Sequence, residues 1–249
     1  VGFRLIRFLF TITFLWGFVY VSGLSAPAVR AGLMLTFFLV GRLISKRADS
    51  YNILAASAFL MLVYNPWFLF DAGFQLSYIA VFFILYLQPR INSLLTIQNP
   101  LLAAPRDWTS VTLAAQAGTT PLCLYVFGKF SLVFLFTNLP LAALSTLLIP
   151  LTVAWSLVSV GMGYPVWGQE IIELLCRWML WIVKSFGRIP GASVSFSIGF
   201  WEMLVSYGSI GFFLYYLNRR TPYALLVALG CLLIVFVLML KARFVFAGP

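Results

Sequence analysis

The chain has 249 residues, 63% of them hydrophobic and 9% charged, with a mean hydropathy of +1.03. An average soluble domain is about a quarter charged, so this composition excludes an ordinary water-soluble fold and points to a lipid environment. Sixteen Lys and Arg against six Asp and Glu leave a formal charge of +10, and the absence of histidine excludes histidine triads, histidine-ligated zinc and histidine proton relays.

Backbone N–H and C=O groups must be paired inside lipid, so spanning elements are helices or a closed barrel. The apolar runs are unbroken rather than alternating, which favours helices. A first span is predicted over residues 5–21 and a second over 28–44, joined as a hairpin by the turn Ser22-Gly-Leu-Ser-Ala-Pro27. The basic residues Arg42, Lys46 and Arg47 follow, then a span over 51–64 that is short enough to tilt or to lie partly in the interface. Asn65-Pro66 ends it, because the residue before a proline is biased away from helical geometry. After Asp71-Ala-Gly73 a span over 74–87 is stopped by Gln88-Pro-Arg90.

Residues 91–108, with Pro100 and Pro105, read as a surface loop or short helix, and 109–127 as a span. Gly128-Lys129 makes a turn, and 131–160 is apolar but interrupted by Asn138, Pro140 and Pro150, so broken helices or a bent hairpin are expected there. Residues 169–186 carry Glu170, Glu173, Arg177 and Lys184 among Trp and Leu, an amphipathic pattern that fits lying in the interface as well as spanning. Glu173 and Arg177 are spaced i,i+4 for mutual pairing. Residues 189–200 read as a loop with an extended portion, and 201–217 and 222–240 as spans. The expectation is an all-α polytopic transmembrane domain over 1–249, part of a longer chain, with about seven to nine crossings, some broken at Pro or Asn, and with interfacial amphipathic helices.

An inside N-terminus places Arg4 and Arg7, then Arg42, Lys46 and Arg47, then Arg90 and Arg106 on the cytoplasmic side, as short basic loops require. Cys123, Cys176 and Cys231 sit apart among apolar neighbours and read as small hydrophobes. Asp71, at the mouth of a span, suits a helix N-cap, and it equally suits a polar pathway. Arg30, two residues before Gly32, either snorkels to the surface or faces a wet cavity. Gln75 and Ser77, and the polar groups Gln116, Thr119, Thr120 and Asn138, serve either as interhelical hydrogen-bonding groups or as lining of a polar route.

Three segments carry a resemblance: Gly23-Leu-Ser-Ala-Pro-Ala-Val-Arg-Ala31; Asn65-Pro-Trp-Phe-Leu-Phe-Asp-Ala-Gly-Phe-Gln-Leu-Ser-Tyr-Ile-Ala80; and Ala114-Ala-Gln-Ala-Gly-Thr-Thr-Pro121 through Phe127-Gly-Lys-Phe-Ser131 to Thr137-Asn-Leu-Pro140. In order and spacing they resemble the competence domain of the ComEC family over residues 23–160, with Arg188-Ile-Pro-Gly-Ala-Ser-Val194 a looser match. The Asp-x-Gly-Phe-Gln-Leu-Ser core beginning at Asp71 is the most specific of them. The resemblance implies a bacterial inner-membrane channel that passes single-stranded DNA into the cytoplasm during natural transformation, with no catalytic step, cofactor or metal in this domain. It implies soluble domains elsewhere in the same full-length chain, one oligonucleotide-binding-like and one metallo-β-lactamase-like, and other DNA-uptake proteins as partners beside the lipid bilayer. The positions it singles out are Arg30, Asp71, Gly73, Phe74, Gln75, Ser77, Gln116, Pro121, Phe127, Gly128, Ser131, Asn138 and Pro140.

In such a conduit, Arg and Lys at the mouths gather phosphates, amides inside replace water, and aromatic faces allow sequence-tolerant base stacking. No P-loop motif is present, so the force on the strand comes from elsewhere. The rival readings are a small-molecule or lipid transporter, an intramembrane enzyme and a membrane anchor for an assembly. An aspartyl protease would need two facing acids, whereas Asp49 and Asp71 flank one span at opposite ends and Asp107 falls in a loop.

Overall fold

The computed structural model describes residues 2–44, 49–94, 103–162, 166–189, 191–195 and 198–246. Among these are the helices α1 (Gly2–Val21), α2 (Ala26–Leu43), α3 (Ser50–Tyr64), α4 (Ala72–Leu94), α5 (Ala103–Phe127), α6 (Phe134–Met162), α7 (Val166–Gly187), α8 (Phe200–Arg219) and α9 (Pro222–Phe246). A short 3-10 helix, Pro66–Phe70, links α3 to α4, and the strands β1 (Lys129–Ser131) and β2 (Ser193–Ser195) form one small antiparallel ribbon. Apart from that ribbon the described residues are helical or turn, the all-α membrane architecture that the composition calls for. Four helical stretches, Phe3–Val21, Ala26–Leu43, Ala72–Leu94 and Phe134–Ser156, are long and apolar enough to cross a bilayer, and Ser50–Tyr64 and Pro222–Val235 are shorter apolar helices. Large apolar side chains such as Phe10, Phe14, Phe59, Leu147 and Leu233 are exposed, as surfaces that face lipid are.

The chain divides into two compact units. The first comprises Val1–Ile91 and Ala114–Thr119. In it α1 and α2 form the expected hairpin through Gly23 and Leu24, both at positive φ. The helices approach closely at Gly32, where an added Cβ would lie 3.2 Å from Val19 Cγ2, and the Trp16 indole donates to Thr36 Oγ1 at 3.1 Å. Leu54, Met61, Phe74 and Tyr78 make a buried cluster, with Phe74 and Tyr78 rings 4.5 Å apart. The Tyr78 hydroxyl finds Ser57 Oγ at 3.3 Å, so this polar tip does not enter the apolar cluster unpaired.

The second unit comprises Asn92–Leu113 and Thr120–Pro249. Its α8 and α9 pack as a hairpin in which buried Ser209 donates to the Ala228 carbonyl at 2.8 Å. Glu202 accepts the Gly199 N–H at the start of α8, and Arg220 closes the helix at φ 52. In α7 the expected i,i+4 pair forms, with Arg177 Nη2 donating to Glu173 Oε1 at 2.8 Å, and that bond raises the exposed guanidinium above its ordinary pKa.

Three expectations change. The stretch 131–160 is neither broken nor a bent hairpin: α6 runs unbroken from Phe134 to Met162 with Pro140 and Pro150 inside it. Each proline removes one N–H, whereas ending the helix in lipid would strand several backbone groups, so continuity costs less. Likewise α4 does not stop at Gln88-Pro-Arg90 but continues through Pro89 to Leu94. The third change is that α5 starts at Ala103 instead of near 109, because Pro105 falls in its first turn, where a missing N–H deprives no intrahelical bond. Lys46, Arg47, Pro100 and Pro190 lie outside the described residues.

Candidate functional site

The polar centre of the first unit forms where α2 begins and α4 is capped. Asn65 Oδ1 accepts the Trp67 N–H at 3.0 Å and so opens the 3-10 turn that follows α3. Asp71 then takes an extended conformation (φ −75, ψ 119), and its Oδ2 accepts the Phe74 N–H at 2.7 Å. Its carbonyl accepts the Gln75 N–H at 3.0 Å, so Asp71 is the N-cap of α4, one of the two readings its position allowed. Gln75 Nε2 turns back to the Leu69 carbonyl at 2.7 Å, which locks the 3-10 turn against the helix it precedes.

Arg30 stands in the second turn of α2, whose first turn carries Pro27. Its side chain is buried, and Nη1 lies 4.0 Å from Asp71 Oδ2, a carboxylate that is about half exposed (47%). The snorkelling alternative for Arg30 is therefore not the one adopted: the guanidinium turns inward toward an acid. Its Nε has no hydrogen-bond partner, an uncommon state for a buried donor. Gly73 lies beside the pair: a Cβ there would sit 3.2 Å from Asp71 Oδ2, a tight contact, and 3.7 Å from Arg30 Nη2, an ordinary van der Waals distance. The result is a permanently charged guanidinium at a helix start, held by one partly wet carboxylate and with donor capacity to spare.

The other motif positions divide into groups. Phe74 is buried between Phe68 and Tyr78 and belongs to the core, not to a surface on which a base could stack. Ser77 is half-buried in α4, and Gln116 half-buried in the part of α5 that belongs to the first unit. Pro121, Phe127, Gly128, Ser131, Asn138 and Pro140 belong to the second unit. There Pro121 is buried within α5, and Phe127 is exposed at its end. Gly128, at φ +61, makes the turn into β1, whose Ser131 pairs with Ser193 in the ribbon. Asn138 is exposed on α6 and Pro140 half-buried two residues beyond it. Among the described residues no three His, Cys, Asp or Glu side chains gather as a metal site would require.

A second polar feature escapes residue-by-residue reading. Arg4, Arg7, Phe8 and Thr11 of α1 and Leu39, Arg42 and Leu43 of α2 line a cleft of about 550 Å³. The signal was available as two helical spacings, i, i+3, i+4, i+7 in α1 and i, i+3, i+4 in α2, once the hairpin is taken to lay the start of one against the end of the other.

The chain is similar in sequence to known proteins. ComE operon protein 3 of Bacillus subtilis (strain 168) is 33% identical over 122 residues, which are 49% of this chain and 15% of that relative's length. The chain thus spans a small part of the relative it matches. No solved structure matches it. The family described as Competence protein matches residues 1–220. With that much of its length matched, the chain belongs to the competence protein family, the ComEC family whose three motif segments it carries.

Proposed function

We propose that this chain is the multi-pass, bilayer-embedded part of a bacterial inner-membrane channel that passes single-stranded DNA into the cytoplasm during natural transformation. The observation that carries the reading is the family match across residues 1–220 of a chain whose long helices are apolar enough to lie in lipid. The inward-turned Arg30 and the exposed Asn138 support it, as polar groups kept at a cost within apolar helices. On this reading the chain performs no chemical step and holds no cofactor. It works with soluble domains of the same full-length protein and with other DNA-uptake proteins.

The test uses transformable cells that lack the protein, supplied with doubly labelled duplex DNA. DNA should accumulate outside the plasma membrane, and the full-length protein should restore a labelled strand in the cytoplasm. Entry of that strand at the same rate without the protein would refute the channel reading. Asn138→Leu, on an exposed face of α6, should lower entry while the protein still inserts.

A further inference from the structure

Three arginines at one end of the α1–α2 hairpin, Arg4, Arg7 and Arg42, face a common cleft with Phe8, Thr11, Leu39 and Leu43. The hairpin that shapes it is held farther along by the Gly32–Val19 approach and the Trp16–Thr36 hydrogen bond. The Arg42 guanidinium sits 5.8 Å from the centre of the Phe38 ring, which is not part of the lining, and Thr11 Oγ1 is turned to the Arg7 carbonyl at 2.7 Å. Neither contact neutralises charge.

No acid of this chain precedes Asp49, and the Asp49 carboxylate caps α3 by accepting the Tyr51 N–H at 3.1 Å. Among the described residues no ion pair joins Arg4, Arg7 or Arg42 to a carboxylate. Three like charges that line one cleft, with no carboxylate paired to them among the described residues, repel one another, and an anion bound there relieves that repulsion.

The position selects which anion. Both helices are long and apolar enough to cross a bilayer, and the cleft lies at their ends, beside the widely exposed rings of Phe3 (80%) and Phe10 (73%). When such helices cross a bilayer, their ends fall where lipid phosphates meet hydrocarbon. A single-stranded nucleic acid calls for ring faces on which bases stack, and of the lining residues only Phe8 offers one, while Leu39 and Leu43 suit methylene chains. We propose that this cleft binds the phosphate of an anionic phospholipid headgroup, with the arginines on its oxygens and the two leucines and Phe8 against the acyl chain below.

The full chain reconstituted in vesicles of phosphatidylcholine and phosphatidylglycerol tests this through spin-labelled lipids of each type, whose motionally restricted fraction reports selectivity. The chain should prefer phosphatidylglycerol, and Arg4→Gln/Arg7→Gln/Arg42→Gln should lower that preference by roughly five-fold for each arginine removed. The triple Lys substitution should retain most of it. An unchanged preference in the triple Gln variant overturns the proposal. So does displacement of the labelled phosphatidylglycerol by a short oligothymidylate, which would assign the cleft to nucleic acid. Should the triple variant fail to insert, Arg7→Gln and Arg42→Gln are read singly, and two unchanged preferences overturn the proposal equally.

Discussion

The Arg30 guanidinium lies 4.0 Å from Asp71 Oδ2, and that same oxygen accepts the Phe74 N–H at 2.7 Å. One carboxylate oxygen thus begins α4 and balances a buried charge of α2. Two substitutions separate these roles. Asparagine caps a helix about as well as aspartate but carries no charge. Asp71→Asn should therefore keep α4 capped and lose the attraction to Arg30, at about 1–2 kcal/mol, between the values for exposed and buried pairs. Asp71→Ala should cost about 1 kcal/mol more through the lost cap. Thermal unfolding in detergent ranks the variants. Equal stability of the Asn variant and the parent would mean that the carboxylate acts on α4 alone.

The same pair invites a double-mutant cycle. Arg30→Gln removes the charge that Asp71 balances, so combining it with Asp71→Asn should cost less than the two single losses added together. A coupling of about 0.5–3 kcal/mol is the range for side chains in contact. Strict additivity in unfolding would show that the long separation carries no energy. DNA entry measured on the same variants reports whether the charge at this point matters beyond stability.

The α1–α2 contact leads to a third expectation. A Cβ at Gly32 would meet Val19 Cγ2 at 3.2 Å, and Val19 is almost fully buried. Gly32→Ala sets a gain in helix propensity of about 1 kcal/mol against that crowding and should change stability little. Gly32→Leu leaves no such balance: overpacking of about 1–3 kcal/mol should force the helices apart. The Trp16–Thr36 hydrogen bond, 3.1 Å long, would stretch with them, so Trp16 emission should shift. Unaltered emission and stability would show that this end of the hairpin yields freely.

What the sequence makes legible follows from how local the cause is. The α1–α2 hairpin and the Asp71 cap are written in neighbouring residues, an apolar run on either side of Gly23-Leu24 and an acid just before a span, and both are found where expected. The extended portion near 189–200 is legible too, but not its partner: β2 pairs with β1 across more than sixty residues, through Phe130 and Val194. Proline misleads within α6, because its local cost is visible in the sequence while the larger cost of ending a helix in lipid is not. The motif resemblance singles out Arg30, Asp71 and Gly73 together, yet only the fold shows that the three meet, with the glycine close against the Asp71 carboxylate and the Arg30 guanidinium 4.0 Å from it. The arginine cleft depends on two helix faces meeting, which no single segment records.

Gly128 offers a test of the ribbon. Its φ of +61 is left-handed, a conformation that costs a residue with a Cβ about 1–2 kcal/mol, with asparagine the least affected. Gly128→Ala should therefore loosen the turn from α5 into β1, and Gly128→Asn should do so less. Amide exchange at Phe130 and Val194 is the readout, since these residues face each other across the two strands. Equal protection in all three proteins would mean that the ribbon forms independently of the turn.

Pro150 lies well inside α6, in a helix with no buried residue between Phe134 and Ser156. Since little packing holds this segment, its backbone hydrogen bonds carry more of its stability than they would in a core. Pro150→Ala restores one N–H donor and relieves the clash of the ring with the preceding turn, each of which should stabilise the helix. The carbonyl opposite is that of Thr146, whose own hydroxyl is committed to the Ala142 carbonyl at 2.8 Å and supplies no substitute donor there. The expected result is slower amide exchange around Thr146 and higher thermal stability, by less than the roughly 3 kcal/mol that a proline costs in a water-exposed helix interior. DNA entry then distinguishes two uses of the proline. Entry that falls while stability rises would mean that α6 must bend to work; entry that holds would leave Pro150 a tolerated irregularity.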